Sequence, residues 1–165
     1  MALLAAHTPE PLHEVNHFTR LPAGAETHMA IGLAHLGLRV GWLSRPGQDA
    51  FGDFVLNAIR RIGVDVSHVL RDASRSTGFM LKGRSLDDQD PAIDCDRWGS
   101  AASALSVADF DAPWFARARH LHLTGIAPAL SASSSALVAH ANSRSSRQPE
   151  LWTVAEGKSP TRGMA

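Results

Sequence analysis

Gly24-Ala25-Glu26-Thr27-His28-Met29-Ala30 opens an apolar stripe that continues through Leu33, Ala34 and Leu36 to Gly37. Arg39-Val40-Gly41-Trp42-Leu43-Ser44 follows, and Pro46-Gly47 breaks it. The first stretch has helical spacing and a glycine stop, which predicts a helix over 24–37. The second is short and apolar, the mark of a buried strand. Asp49 then stands where a helix cap belongs, and Phe51, Phe54, Val55, Ala58, Ile59 and Ile62 recur at helical spacing until Gly63. Helix, strand and helix in such quick succession predict an α/β domain.

The pattern extends outward from there. Val64-Asp65-Val66 leads to a predicted strand near 68–70. Residues 77–84 and 92–98 read as two strands joined by a polar loop, Ser85 to Pro91, that holds Asp87, Asp88 and Asp90. This pair reads as a hairpin appended to the α/β units, placed as a lid over a site. A helix is expected over 107–117, capped by Ser106 or Asp109, then a strand over His120-Leu121-His122-Leu123-Thr124-Gly125-Ile126 and a helix over 131–142. Residues 1–22 are ambiguous: Leu12, Val15 and Phe18 have helical spacing, but Pro9, Pro11 and Pro22 bracket them, and an edge strand or loop fits equally. Residues 143–165 have no clear period and are expected to form an irregular tail. The expected architecture is a three-layer α/β/α domain over residues 1–142, with parallel central strands and a small β lid near 77–98.

At 165 residues the chain is long enough for one domain with a real core. Sixteen basic residues balance sixteen acidic ones, giving a formal charge of zero, and no basic run marks a nucleic-acid surface. A few placed arginines would still suffice for a small anionic substrate. Cys95 is the only cysteine, so no internal disulfide can form, which fits a reducing compartment. Met1-Ala2-Leu3-Leu4-Ala5-Ala6 is too short for a signal peptide, and nothing approaches the ~20 apolar residues of a membrane span. A cytoplasmic location without a membrane partner is expected. The chain contains no tyrosine.

Ala23-Gly24-Ala25-Glu26-Thr27-His28-Met29-Ala30, with Leu36-Gly37, resembles the N-terminal signature of the ribokinase (PfkB) family of carbohydrate kinases. Ser44-Arg45-Pro46-Gly47-Gln48-Asp49-Ala50-Phe51-Gly52 looks like the family's G-x-D-x-x-G turn, with Gly47, Asp49 and Gly52 as its fixed members. The resemblance continues through Gly63-Val64-Asp65 and Ser76-Thr77-Gly78. Arg97-Trp98-Gly99-Ser100-Ala101-Ala102 and the 120–126 segment are similar to the branch that phosphorylates 2-keto-3-deoxygluconate. Each motif is weak alone; their order and spacing over about residues 12–142 carry the resemblance.

The resemblance implies a truncated ribokinase-like α/β/α fold, ATP and Mg as cofactors, and a small sugar or sugar acid as substrate. It implies that Gly24 and Ala25 meet the sugar hydroxyls through backbone groups, and that the residue at 28 assists. His28 stands where the signature has Asn and can donate one hydrogen bond. Arg97 would hold a substrate carboxylate in its planar fork. Met80 stands where an aromatic lining residue is expected, and Asp94, Cys95 and Asp96 replace aromatics before Arg97. An Asp beside a carboxylate site would repel an anionic substrate, and Arg97 could instead pair with Asp94 or Asp96 at the surface. Gly47, Asp49 and Gly52 are expected to be structural.

The family's late Gly-Ala-Gly-Asp motif supplies an anion hole and the general base on the sugar hydroxyl. No Gly-Ala-Gly-Asp occurs in this sequence, so no catalytic residue is assigned and this chain alone is expected to transfer no phosphoryl group. The first strand of the family, expected before residue 12, would be truncated or replaced. A homodimer through the lid strands is a further expectation. Three other functions remain open: a non-catalytic sugar-binding or dimerisation fragment, a degraded product that does not fold, and a metal-dependent hydrolase using His120 and His122 from one strand face.

Overall fold

Ala2–Ala6 forms a strand, β1, and Phe18–Pro22 a second, β2, paired antiparallel to it with Ala2 opposite Pro22 and Ala6 opposite Phe18. The ambiguity over residues 1–22 is thereby settled, and a strand does precede residue 12. This identity was hidden because three of β1's five residues are alanines with no β preference of their own; pairing on both sides makes it a strand. On its other side β1 runs parallel to Phe79–Lys82 (β3), which pairs antiparallel with Ile93–Asp96 (β4). The expected pair of strands near 77–98 is therefore present, and it does not stand alone. It is half of one mixed four-stranded sheet of order β2-β1-β3-β4. The structure, a computed structural model, describes residues 1–86 and 89–144. Asp87 and Asp88 of the joining loop, and all of the expected tail beyond Arg144, lie outside the described residues.

The two helices expected on either side of residues 39–44 are present. Ala25–His35 (α1) starts at Gly24, whose φ of 126° is one that side chains rarely tolerate. Ala50–Arg61 (α2) starts at Asp49, whose side chain caps it by accepting from the Gly52 N–H. The predicted strands over 39–44 and 68–70 are weaker than expected. The chain there forms isolated parallel bridges, Gly41 with Asp65 and Gly47 with Asp72, and no continuous strand. Among the described strands the only parallel neighbours are β1 and β3.

The core lies where α2 faces the sheet. Val55 and Ile59 of α2 are fully enclosed and pack with Ala2, Ala30, Trp42 and Val64. Phe51 of α2 meets Phe79 of β3 with ring centroids 5.7 Å apart, and Arg20 of β2 lies 4.1 Å over the Phe54 ring. These elements belong to a compact unit, Met1–Leu105; a second unit begins at Ser106.

In the second unit the helix expected over 107–117 is broken. Val107–Asp109 is a short 3-10 turn, with Ser106 and Asp109 capping each other, and Ala112–Phe115 (α3) restarts with Pro113 in its first turn. A continuous helix would need the N–H that Pro113 lacks. The strand expected over 120–126 is also absent from the described elements: a strand exists only when neighbours take its N–H and C=O groups, and no described segment pairs with this one. Ile126–Leu130 (α4) is helical instead. The last expected helix is present as Ala132–Arg144 (α5), so residues 143 and 144, expected in the tail, are helical. Its buried Leu137 and Ala141 face inward, and His140 sets its ring edge-on to Phe110, which stacks on Phe115.

Candidate functional site

The turn from Gly47 to Gly52 is built around one carboxylate. Oδ1 of Asp49 accepts from the Gly52 N–H at 2.7 Å, and Oδ2 accepts from the Thr77 N–H at 2.7 Å, across 28 residues of sequence. Thr77 answers with its own side chain: Oγ1 accepts from the Gly47 N–H at 2.9 Å, in a buried position. The glycines make this approach possible. A Cβ on Gly47 would lie 2.5 Å from the Arg75 carbonyl and 2.5 Å from the Asp49 carboxylate. A Cβ on Gly52 would strike the Gly47 carbonyl and lie 2.9 Å from Thr77 Oγ1. Burial raises the Asp49 pKa, but the hydrogen bonds from Thr77 and Gly52 outweigh it and hold the carboxyl below its ordinary value.

A second carboxylate supports the first. Asp72 is buried; its Oδ1 takes hydrogen bonds from the Ser74 hydroxyl and the Ser74 and Arg75 N–H groups, and its Oδ2 lies 3.1 Å from Arg45 Nε. The Ser74 bonds first, then the Arg75 N–H and the Arg45 charge, outweigh desolvation and pull it down to about 2. Arg71 donates to the Gly47 carbonyl at 2.9 Å and to Asp53 at 2.7 Å. The Gly47 carbonyl therefore cannot swing aside freely.

The sheet brings the sequence-derived candidates to one end. Ala23 N–H donates to Met1, Ala2 N–H donates to Gly78, and a Cβ on Gly78 would meet the Arg97 backbone and side-chain stem at 3.2 Å. Gly24, the start of β1, Gly78 and Arg97 thus succeed one another across the same end of the sheet. At roughly 4.8 Å per strand, the β2 and β4 edges lie about 14 Å apart. Alternation along the strands fixes the faces. Leu21, Leu3, Met80 and Cys95 form one row across the sheet, with Arg97 two residues beyond Cys95 on the same face. Phe79 and Asp96 are paired on the opposite face, towards α2.

The register turns the two aspartates flanking Cys95 away from the Arg97 side. Asp94 pairs with Leu81 and Asp96 with Phe79, so both carboxylates occupy the α2 side of the sheet, away from Met80 and Arg97. The expected surface ion pair of Arg97 is not formed either. Among the described residues the half-buried Arg97 side chain makes no hydrogen bond or ion pair. Met80 is half-buried, and His28 is exposed one turn into α1 from Gly24. Cys95 is half-buried; burial raises its thiol pKa, Arg97 lowers it, and the two aspartates raise it.

A cavity of about 550 Å³ opens on the α2 side, lined by Asp49, Phe51, Thr77, Gly78, Asp96 and Trp98 among others. Gly24, Ala25, His28, Met80 and Arg97 do not line it. The one candidate that does is Asp49, and its carboxylate is engaged with Gly52 and Thr77. The role of Thr77 was missed by sequence reasoning; its only signal was the Thr-Gly pair opening a strand. His120 and His122 do not share a strand face, because no strand forms there. Among the described residues no group of three or more His, Cys, Asp and Glu gathers as metal ligands would. No helix among them is long and apolar enough to cross a membrane.

Comparison with known proteins places these features. The family model described as pfkB family carbohydrate kinase matches residues 2–151. A 2-dehydro-3-deoxygluconokinase of Bacillus subtilis is 45% identical over 133 residues, which are 80% of this chain and 41% of that protein. A second, from Thermoproteus tenax, is 34% identical over 163 residues, covering 90% of this chain and 48% of that one. The crystal structure of a PfkB protein from Polaromonas sp. JS666 superposes with a TM-score of 0.84 at 46% identity, over 87% of this chain and 48% of its own. The chain thus spans less than half the length of the relatives it matches.

Proposed function

Since the chain belongs to the pfkB family of carbohydrate kinases, with a ribokinase-like α/β fold truncated relative to its relatives, we propose that it is the sugar-acid-binding part of a cytoplasmic kinase acting on a substrate of the 2-keto-3-deoxygluconate type. The observation that carries this is Arg97, a half-buried arginine whose side chain makes no hydrogen bond or ion pair among the described residues. It shares a face with Met80 and a sheet end with Gly24. A planar fork in that state fits a carboxylate with two parallel hydrogen bonds. Met80 and Leu3 offer apolar surface suited to a deoxygenated carbon, and the amides opening α1 at Gly24 and Ala25 suit sugar hydroxyls. His28 would add one donor from the same helix.

ATP and Mg belong to the proposal for the whole kinase. The residues present do not fit a nucleotide–Mg site: the sequence holds no Gly-Ala-Gly-Asp, and the described residues gather no acidic ligand set. No phosphoryl-transfer step is derived from this chain.

Calorimetric titration with 2-keto-3-deoxygluconate tests the proposal. The chain is expected to bind it, and Arg97→Ala to weaken binding tenfold or more, since a charge-assisted pair contributes about 1.5–3 kcal/mol. Equal affinity in both proteins would sink the assignment of Arg97. With ATP and Mg added, no sugar-dependent ADP is expected from the purified chain; turnover above a blank would overturn the inactive reading.

A second function rests on its own observation. Leu21 and Ile93, both exposed, lie on the same sheet face as Met80, a surface suited to pairing two copies. Light scattering decides it: a monomer at every concentration removes a dimer.

A further inference from the structure

Asp49 does more than cap a helix. Its two carboxylate oxygens join the first turn of α2 to the residue at which the chain enters the sheet, with 2.7 Å on each side. Thr77 closes the circuit through Gly47, and its neighbours carry the connection onward. Ser76 O accepts from the Ala101 N–H at 2.8 Å, where the chain has come back from β4. Gly78 O accepts from Ala2 at the head of β1, and Gly78 lies under the Arg97 stem. The outgoing root of the sheet, its returning root and the Arg97 backbone are therefore tied to α2 through one side chain. Gly47 and Gly52 are the positions whose missing Cβ atoms let Asp49 and Thr77 meet.

We propose that Asp49 and Thr77 form a latch that fixes the root of the four-stranded sheet on α2, making Asp49 a positioning residue for Arg97. Both Asp49 oxygens are taken up by backbone N–H groups in this arrangement. It sets where the guanidinium stands relative to Gly24, and so acts on carboxylate recognition at a distance. The ligand part of this inference rests on the sugar-acid reading above; the mechanical part does not.

Two measurements on the full chain separate the parts. The first is amide hydrogen exchange without ligand. Asp49→Asn keeps the size of the side chain but replaces one acceptor oxygen by a donor, so it can serve only one of the two N–H groups. Exchange in 77–82 and 94–97 is expected to accelerate about tenfold, while the amides of Val55 and Ile59 accelerate less. Thr77→Val is expected to behave like Asp49→Asn, and Thr77→Ser, which keeps the hydroxyl, like the parent. Unchanged exchange at the root, or acceleration uniform over α2 and the sheet, would overturn the latch.

The second is affinity for 2-keto-3-deoxygluconate, measured well below each variant's melting temperature. Global destabilisation alone leaves the affinity of folded molecules unchanged; a displaced Arg97 does not. Asp49→Asn is expected to weaken binding about tenfold in the parent and to add nothing in an Arg97→Ala background. A further tenfold loss there would show that Asp49 does not act through Arg97. If the parent binds no sugar acid while the root still loosens, the latch stands and the substrate assignment falls.

Discussion

Replacing Gly52 by alanine pits two known effects against each other. Gly52 lies in the first turn of α2, and alanine is the better helix former by up to about 1 kcal/mol. On propensity alone the variant would be more stable. The structure reverses the sign. The new methyl would strike the Gly47 carbonyl and lie 2.9 Å from Thr77 Oγ1. Neither neighbour yields easily: the carbonyl is held by Arg71 at 2.9 Å, and the threonine hydroxyl by the Gly47 N–H at 2.9 Å. Overpacking of this kind costs about 1–3 kcal/mol, and prising Asp49 from Thr77 adds about 1 kcal/mol or more for each hydrogen bond lost. The net expectation is a loss of about 2 kcal/mol. With a urea m-value of about 2 kcal/mol/M, the unfolding midpoint should fall by about 1 M. An alanine variant as stable as the parent, or more so, would refute the close-packed turn and with it the reason for both glycines.

Three further outcomes follow from the same coordinates. Ile59→Ala, at a fully enclosed position facing the sheet, should destabilise by about 2–5 kcal/mol in a urea melt; a cost under 1 kcal/mol would show that the α2–sheet core is not packed as described. Asp72 has a folded-state pKa of about 2, below its unfolded value, so its stabilising effect is complete above about pH 4 and is lost as pH falls towards 2. Asp72→Asn should therefore lose less stability than the parent between pH 5 and pH 2.5, and an identical acid dependence would contradict the Arg45–Asp72–Ser74 network. The parent should melt in a cooperative transition by circular dichroism; a gradual loss of signal would favour a degraded product that does not fold.

The sequence disclosed those parts whose information is local. α2 announces itself through the Asp49 cap and the apolar repeat from Phe51 to Ile62, and α1 through Gly24 and its stripe. Strands depended on partners that no local pattern names. Ala2–Ala6 is a strand because Phe18–Pro22 and Phe79–Lys82 flank it, while the apolar 120–126 run is none because nothing described pairs with it. The break at Pro113 was readable in principle, since that ring suits the first turn of a helix and not its interior. For the site, Arg97 and Gly24 were legible as residues and their common sheet end was not. The alternation that sends Asp94 and Asp96 to the far face from Met80 was written in the sequence, but its consequence needed the register. Thr77 could not be found from the sequence: its partner Asp49 is 28 residues away.

The most direct measurement is a chemical-shift map of the isotope-labelled chain as 2-keto-3-deoxygluconate is added. Saturable shifts should gather at Gly24, Ala25, Gly78, Met80 and the Arg97 side chain, leaving the second unit unmoved. Saturable shifts centred on the Asp49–Trp98 cavity, or none at millimolar ligand, would contradict a sugar-acid site at that end of the sheet.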